Sequence, residues 1–208
     1  MQSRFILLPS LVIFILVLRH SIRRNRNLSE KAEKDFWARE SEANSVRKKS
    51  LDNLEFISIP MGNLPMDVRI DDETIESVVG EITDLSSAKI VNFTGYTNTD
   101  LKLEYGAPNL TVLTEYDNNY TLLVQLLQKW TERLLFLGEE ESAAKVCEFG
   151  MSINADAGSL YRTLLKYYLK TGNDEGVAKI YDTVSSLQSA GKNAMLRSLD
   201  EIKDSANQ

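Results

Sequence analysis

At 208 residues, with 43% hydrophobic side chains, the chain has the length and apolar content for a buried core, which argues against wholesale disorder. Its net charge of −6 is uneven: residues 1–50 carry 11 Lys/Arg against 5 Asp/Glu, and the remaining 158 carry 13 against 25. An acidic body on a basic stem argues against nucleic acid, which needs clustered cations on the folded surface, and suits a stem near anionic lipid. The single cysteine, Cys147, excludes an intrachain disulfide. The single histidine, His20, leaves no cluster for zinc or iron, although carboxylates remain available to a hard cation.

From Phe5 to Leu18 the chain runs uncharged as FILLPSLVIFILVL. As a helix this is roughly 21 Å long, against a hydrocarbon core of about 30 Å. A buried core helix, a cleaved signal peptide and a short transmembrane anchor all fit that length. The flank RHSIRRNRN, with Arg19, Arg23, Arg24 and Arg26, resembles a stop-transfer segment and offers no small-residue cleavage site, which favours the anchor. Arg4 and Arg19 can snorkel, and Ile22 lengthens the apolar stretch. With the arginines concentrated after the segment, the positive-inside rule places residues 19–208 in the cytoplasm, at the cell membrane. The N-x-S/T sequons at Asn27, Asn92, Asn109 and Asn119 would then carry no glycan.

Asn27 and Glu30 have the spacing of a capping box. The charge-dense stretch that follows, without Gly or Pro as far as Lys49, predicts a juxtamembrane helix. Phe36 and Trp37 within it suit either packing onto the rest of the protein or interfacial anchoring, and packing is the expectation, because they lie some 18 residues past the anchor. Residues 50–70 hold Pro60, Pro65 and Gly62 between apolar teeth at Leu54, Phe56, Ile57, Ile59, Met61 and Leu64, as in an extended segment laid along a folded domain. Ile75, Val78, Val79, Ile82 and Leu85 make an amphipathic helix of 71–85. Turn residues interrupt every run in 86–118, which reads as mostly loop with one short strand or helical turn.

The C-terminal half repeats itself at an offset of 34 residues. Leu126 pairs with Leu160, Leu135 with Leu169, Gly138 with Gly172, Glu141 with Glu175, Ala144 with Ala178, Lys145 with Lys179 and Ser152 with Ser186. Both copies read as helix, glycine turn, helix. This region, about 123–190, resembles the tetratricopeptide (TPR) family, whose period is 34 residues. On that resemblance Leu127, Trp130, Leu134, Tyr161, Leu164 and Tyr168 are the large first-helix positions, facing Ala143, Cys147, Gly150, Val177, Tyr181 and Val184 on the second helices. Thr131 and Leu165 stand where the family prefers glycine, Val177 replaces a small residue, and Ala155 and Ser189 replace the closing proline. Two repeats need covering at both ends. Gly191 followed by Met195, Leu199 and Ile202 predicts a C-terminal capping helix, and either the 71–85 helix or residues 86–118 is available for the other end.

The whole chain also resembles a type of small membrane-anchored protein from Firmicutes, in FWARESEANSVRKKSLDNLEFISIP and TGYTNTDLKLEYGAPNL. That resemblance implies no activity. The expected architecture is mainly α: a transmembrane anchor (1–22), a basic juxtamembrane helix (23–49), an irregular linker (50–118) packed on the repeats, and a TPR-like helical domain (119–208).

No Gly-rich phosphate loop, nucleophile elbow or H-E-x-x-H is present. Cys147 reads as a core residue, and Asp71–Glu73 and Glu139–Glu141 read as helix N-terminal acids, so no catalytic, cofactor or metal residue is assigned and an enzyme is not expected. The leading expectation is a membrane-tethered scaffold for a protein or peptide partner. The TPR resemblance implies a concave face of first helices: Gln125, Gln128 and Glu132 from one repeat, then Ser159, Arg162, Lys166 and Lys170 from the next, the second set suited to a partner's carboxylates. The alternative is a self-contained or homo-oligomerising membrane-associated protein whose groove is filled by residues 50–118.

Overall fold

The computed structural model describes residues 3–206, without the side chains of residues 3–13, 15–17, 27 and 28. The fold is mainly α, with eight α-helices and no strand among the described residues. Two compact units emerge, the first formed by residues 1–49 with 98–109, the second by 50–97 with 110–208.

The first unit is built on α1 (Ser3–Ser45), one uninterrupted helix where sequence suggests an anchor and a separate juxtamembrane helix. Among the described residues no helix is long and apolar enough to cross a membrane. Of the Phe5–Leu18 stretch expected to form the anchor, only the Phe14 and Leu18 side chains belong to the described set. The end of α1 is clasped by α3 (Asn98–Tyr105). Glu40 accepts a bond from Thr99 Oγ1 (2.7 Å) and pairs with Lys102, which also donates to Asn44 Oδ1 (2.8 Å). Arg39 pairs with Asp100 at 2.5 Å. Gly106 (φ 92°) ends α3 against Arg47, whose carbonyl oxygen would lie 2.2 Å from any added Cβ, so only glycine permits this approach. The Asn109 amide, buried in the 3₁₀ turn Ala107–Asn109, donates to the carbonyls of Lys49 and Tyr105.

The expected loop over 86–118 is therefore corrected. Asn98 opens a helix and Gly106 closes it, so these turn-forming residues mark its ends. A second helix, α4 (Leu110–Phe136), begins only four residues later. Its Thr- and Asn-rich first turns are helical because Leu113, Tyr120, Leu127 and Leu134 recur every seven residues on one buried face.

In the second unit, α2 (Glu73–Leu85) buries Ile75, Val78, Ile82 and Leu85 and packs on α4. Asp72 caps it, accepting from the backbone N–H groups of Thr74 and Ile75. After α4 come α5 (Glu140–Ser152), α6 (Gly158–Thr171), α7 (Asp174–Ser186) and α8 (Lys192–Ala206). Each packs on the next, and α6 also touches α4 and α8. α5 and α7 are both 13 residues long with limits 34 residues apart, and the turn glycines before them, Gly138 (φ 81°) and Gly172 (φ 71°), share the left-handed conformation.

One core joins the extended segment to the helices: Ile59, Leu64, the α2 side chains and Ile90 pack with Leu127, Trp130, Tyr161 and Leu164. Thr131 is buried, and its hydroxyl meets Cys147 Sγ at 3.6 Å. Gly176 lies so close to Tyr168 that an added Cβ would come within 2.5 Å of the ring. α8 buries Leu199, half-buries Met195 and Ile202, and presents Asn193, Arg197, Asp200 and Asp204 to solvent.

Candidate functional site

α6 has two faces because its sequence alternates with helical period. Leu160, Tyr161, Leu164, Leu165 and Tyr168 point into the core. Arg162, Lys166 and Lys170 recur every four residues and are exposed. Lys170 is engaged by Glu140 at the start of α5 (2.5 Å), whereas Arg162 and Lys166 form no ion pair among the described residues.

Between α6 and α8 lies an open groove of about 670 Å³. Leu169 and Ile202 supply its apolar part, Lys166 and Lys170 its α6 wall, Glu201 and Ser205 its α8 wall. No residue of 50–118 lines it. Asn92 and Gly95 of that segment instead meet the turns that follow α5 and α7: Asn92 Nδ2 donates to the Ile153 carbonyl (3.2 Å) and Gly95 abuts Gln188.

The seven residues expected on a binding face divide into two groups. Gln128 donates from Nε2 to Ser159 Oγ (2.7 Å), so this half-buried pair ties α4 to α6. Gln125, Glu132, Arg162, Lys166 and Lys170 are exposed. Leu169, Glu201 and Ile202 were not anticipated as groove residues. Leu169 lies one turn from Lys166 on the same side of α6, a usable signal, but the pairing with α8 is tertiary and invisible in either helix alone. On α4, Phe136 is 77% exposed, with the Arg133 guanidinium over its ring at 4.9 Å.

Arg133 also forks onto the Asp72 carboxylate, through Nε (3.0 Å to Oδ1) and Nη2 (2.5 Å to Oδ2). That contact, with the helix N–H groups, holds Asp72 down at about 2, while burial raises it only in part. Burial pushes the Cys147 thiol up to about 12, the reverse of what a nucleophile needs. No group of three His, Cys, Asp or Glu side chains converges as a metal site among the described residues.

On α1, Leu18, Arg19, Arg23, Arg24 and Arg26 are exposed, and Arg26 pairs with Glu30 at 3.2 Å; the Phe5 side chain lies outside the described set. Phe36 (56% exposed) and Trp37 (60%) stack edge to face on each other at 5.3 Å.

No protein-family model, no curated protein and no solved structure matches the chain.

Proposed function

We propose that the chain is a TPR-like helical scaffold, tethered to the cytoplasmic face of the membrane through Phe5–Leu18 and its arginine flank, that binds a protein or peptide partner on the exposed face of α4 and α6. The observation that carries this reading is the open α6–α8 groove, apolar at its base and basic along α6, with no segment of 50–118 lining it. The 34-residue spacing shared by the limits of α5 and α7 supports the repeat. The run of arginines after Leu18 supports the tether and its orientation.

The test is a purification of the full-length chain from detergent-solubilised membranes, beside its Arg162→Glu/Lys166→Glu double variant. A stoichiometric partner held by the first and lost by the second is expected. Equal recovery by both places binding elsewhere. No partner in either removes the scaffold reading.

The self-contained alternative draws on a different observation. Ile59, Leu64 and the buried face of α2 belong to the common core, which makes residues 50–97 a wall of the fold and not an occupant that a ligand displaces. Both readings share that wall; they differ over the groove.

A further inference from the structure

The loop before α2 carries the chemistry that the α6–α8 groove lacks. Ile70 is 43% exposed, and Asp67, Asp71 and Glu73 around it are exposed carboxylates with no ion-pair partner among the described residues. The backbone presents Ile70 actively: Arg69, just before it, is held at φ 55°, a left-handed conformation that non-glycine residues seldom adopt. Arg69 is fixed there by its bond to Glu139 (2.8 Å) and by its carbonyl, which accepts from the Asp72 N–H (2.9 Å). A large apolar side chain is thus turned outward between acids, while its neighbours Val68 and Ile75 pack inward.

The groove is the counterpart, with an apolar base (Leu169, Ile202) beside exposed cations (Lys166, Lys170, and Arg162 further along α6). Glu201 on the other wall makes it one-sided, so carboxylates are favoured along α6 and an apolar side chain between the helices. Ile70 does not line the groove of its own chain. The Ile70 loop leads into α2, which packs on α4, while the groove is formed where α8 closes on α6. In this fold a chain's own Ile70 stays outside its own groove, which leaves the groove open to the loop of a second copy.

We infer that the partner of the α6–α8 groove is the acidic Ile70 loop of another copy of this chain. Ile70 seats between Leu169 and Ile202, and the carboxylates of Asp71 and Glu73 meet the α6 cations. This rests on the proposed function in taking the α6 face as the binding face, and it names that face's partner. The contact is heterologous, one patch meeting a different patch, so each copy keeps a free loop and a free groove, and association continues beyond the dimer into a ring or an open row.

The test uses the full-length chain in detergent, with micelles in excess over chains, its mass followed by light scattering across protein and salt concentration. The expected result is a mass that rises with protein concentration and returns to that of one chain at high salt. Ile70→Ser and Lys166→Glu, each alone, are expected to weaken association at least tenfold. Mixed in equal amounts they are expected to form a dimer and nothing larger, because the groove of the first and the loop of the second make one intact contact. That recovery also demonstrates that both variants fold. A wild-type chain that stays single at all concentrations overturns the inference, as does a mixture of variants that fails to associate. If that chain still captures another protein through Arg162 and Lys166, the scaffold reading survives and only the identity of the partner is lost.

Discussion

Asp72 does two things at once: it caps α2 and receives the fork of Arg133. Its folded carboxyl titrates at about 2, below the ordinary 3.8, so it contributes stability above about pH 4 and loses that contribution as pH falls towards 2. Asparagine keeps a capping oxygen but not the charge. Asp72→Asn should lower the melting temperature near neutrality, and its deficit should shrink between pH 4 and 2; a deficit independent of pH would show that Arg133 contributes nothing through charge. Gly176→Ala forces a methyl onto Tyr168, and overpacking of this kind costs about 1–3 kcal/mol. A variant melting at the wild-type temperature would mean that the ring moves aside freely. Cys147, buried and raised to about 12, should ignore thiol reagents at pH 8 until the protein is unfolded. Labelling of the native protein at the rate of an exposed cysteine would contradict its place in the core.

Among the elements, those with strong internal periodicity were legible from sequence. Ile75, Val78, Ile82 and Leu85 specified α2 to within two residues, and the offset of 34 anticipated where α5 and α7 begin relative to each other. The α3 segment was not legible. Its stability comes from partners about sixty residues away, Glu40 for Lys102 and Arg39 for Asp100, and its own composition looks like a turn. The N-terminal turns of α4 were missed for a related reason: Thr111, Thr114, Asn118 and Asn119 have weak helix propensity, and the buried seven-residue spacing from Leu113 overrides it. The clasp on α1 depends on Gly106. Gly106→Ala should release α3, seen as faster amide exchange over 98–109 with α5–α7 unchanged; an unaltered exchange pattern would show that Arg47 accommodates the methyl group.

For the molecule as a whole, helices α4–α8 do not stand alone. The four α2 side chains buried on α4, at roughly 1.5–3 kcal/mol each, are comparable with the whole net stability of a typical domain, about 5–15 kcal/mol. Removing residues 50–97 should therefore abolish cooperative unfolding by circular dichroism; a stable, cooperatively melting remainder would restore the view of this segment as a removable occupant. Of the proposed binding face, the α6 cations were readable because Arg162, Lys166 and Lys170 stand out in an acidic body. The apolar base of the groove was not, because Ile202 reads as the core of its own helix until α8 is seen beside α6. Gln128 and Ser159 were placed on a binding face only by the tetratricopeptide resemblance; in the structure they bond to each other.

Whether the α6 face of the proposed membrane-tethered scaffold holds a protein is decided by photo-crosslinking in native membranes from a probe placed at Lys166, with a second probe at Asp204, exposed on α8 outside the groove, as control. A discrete protein adduct is expected from Lys166, at twice the mass of the chain if the partner is another copy, and none from Asp204. No adduct from Lys166, or the same adducts from both positions, would contradict it.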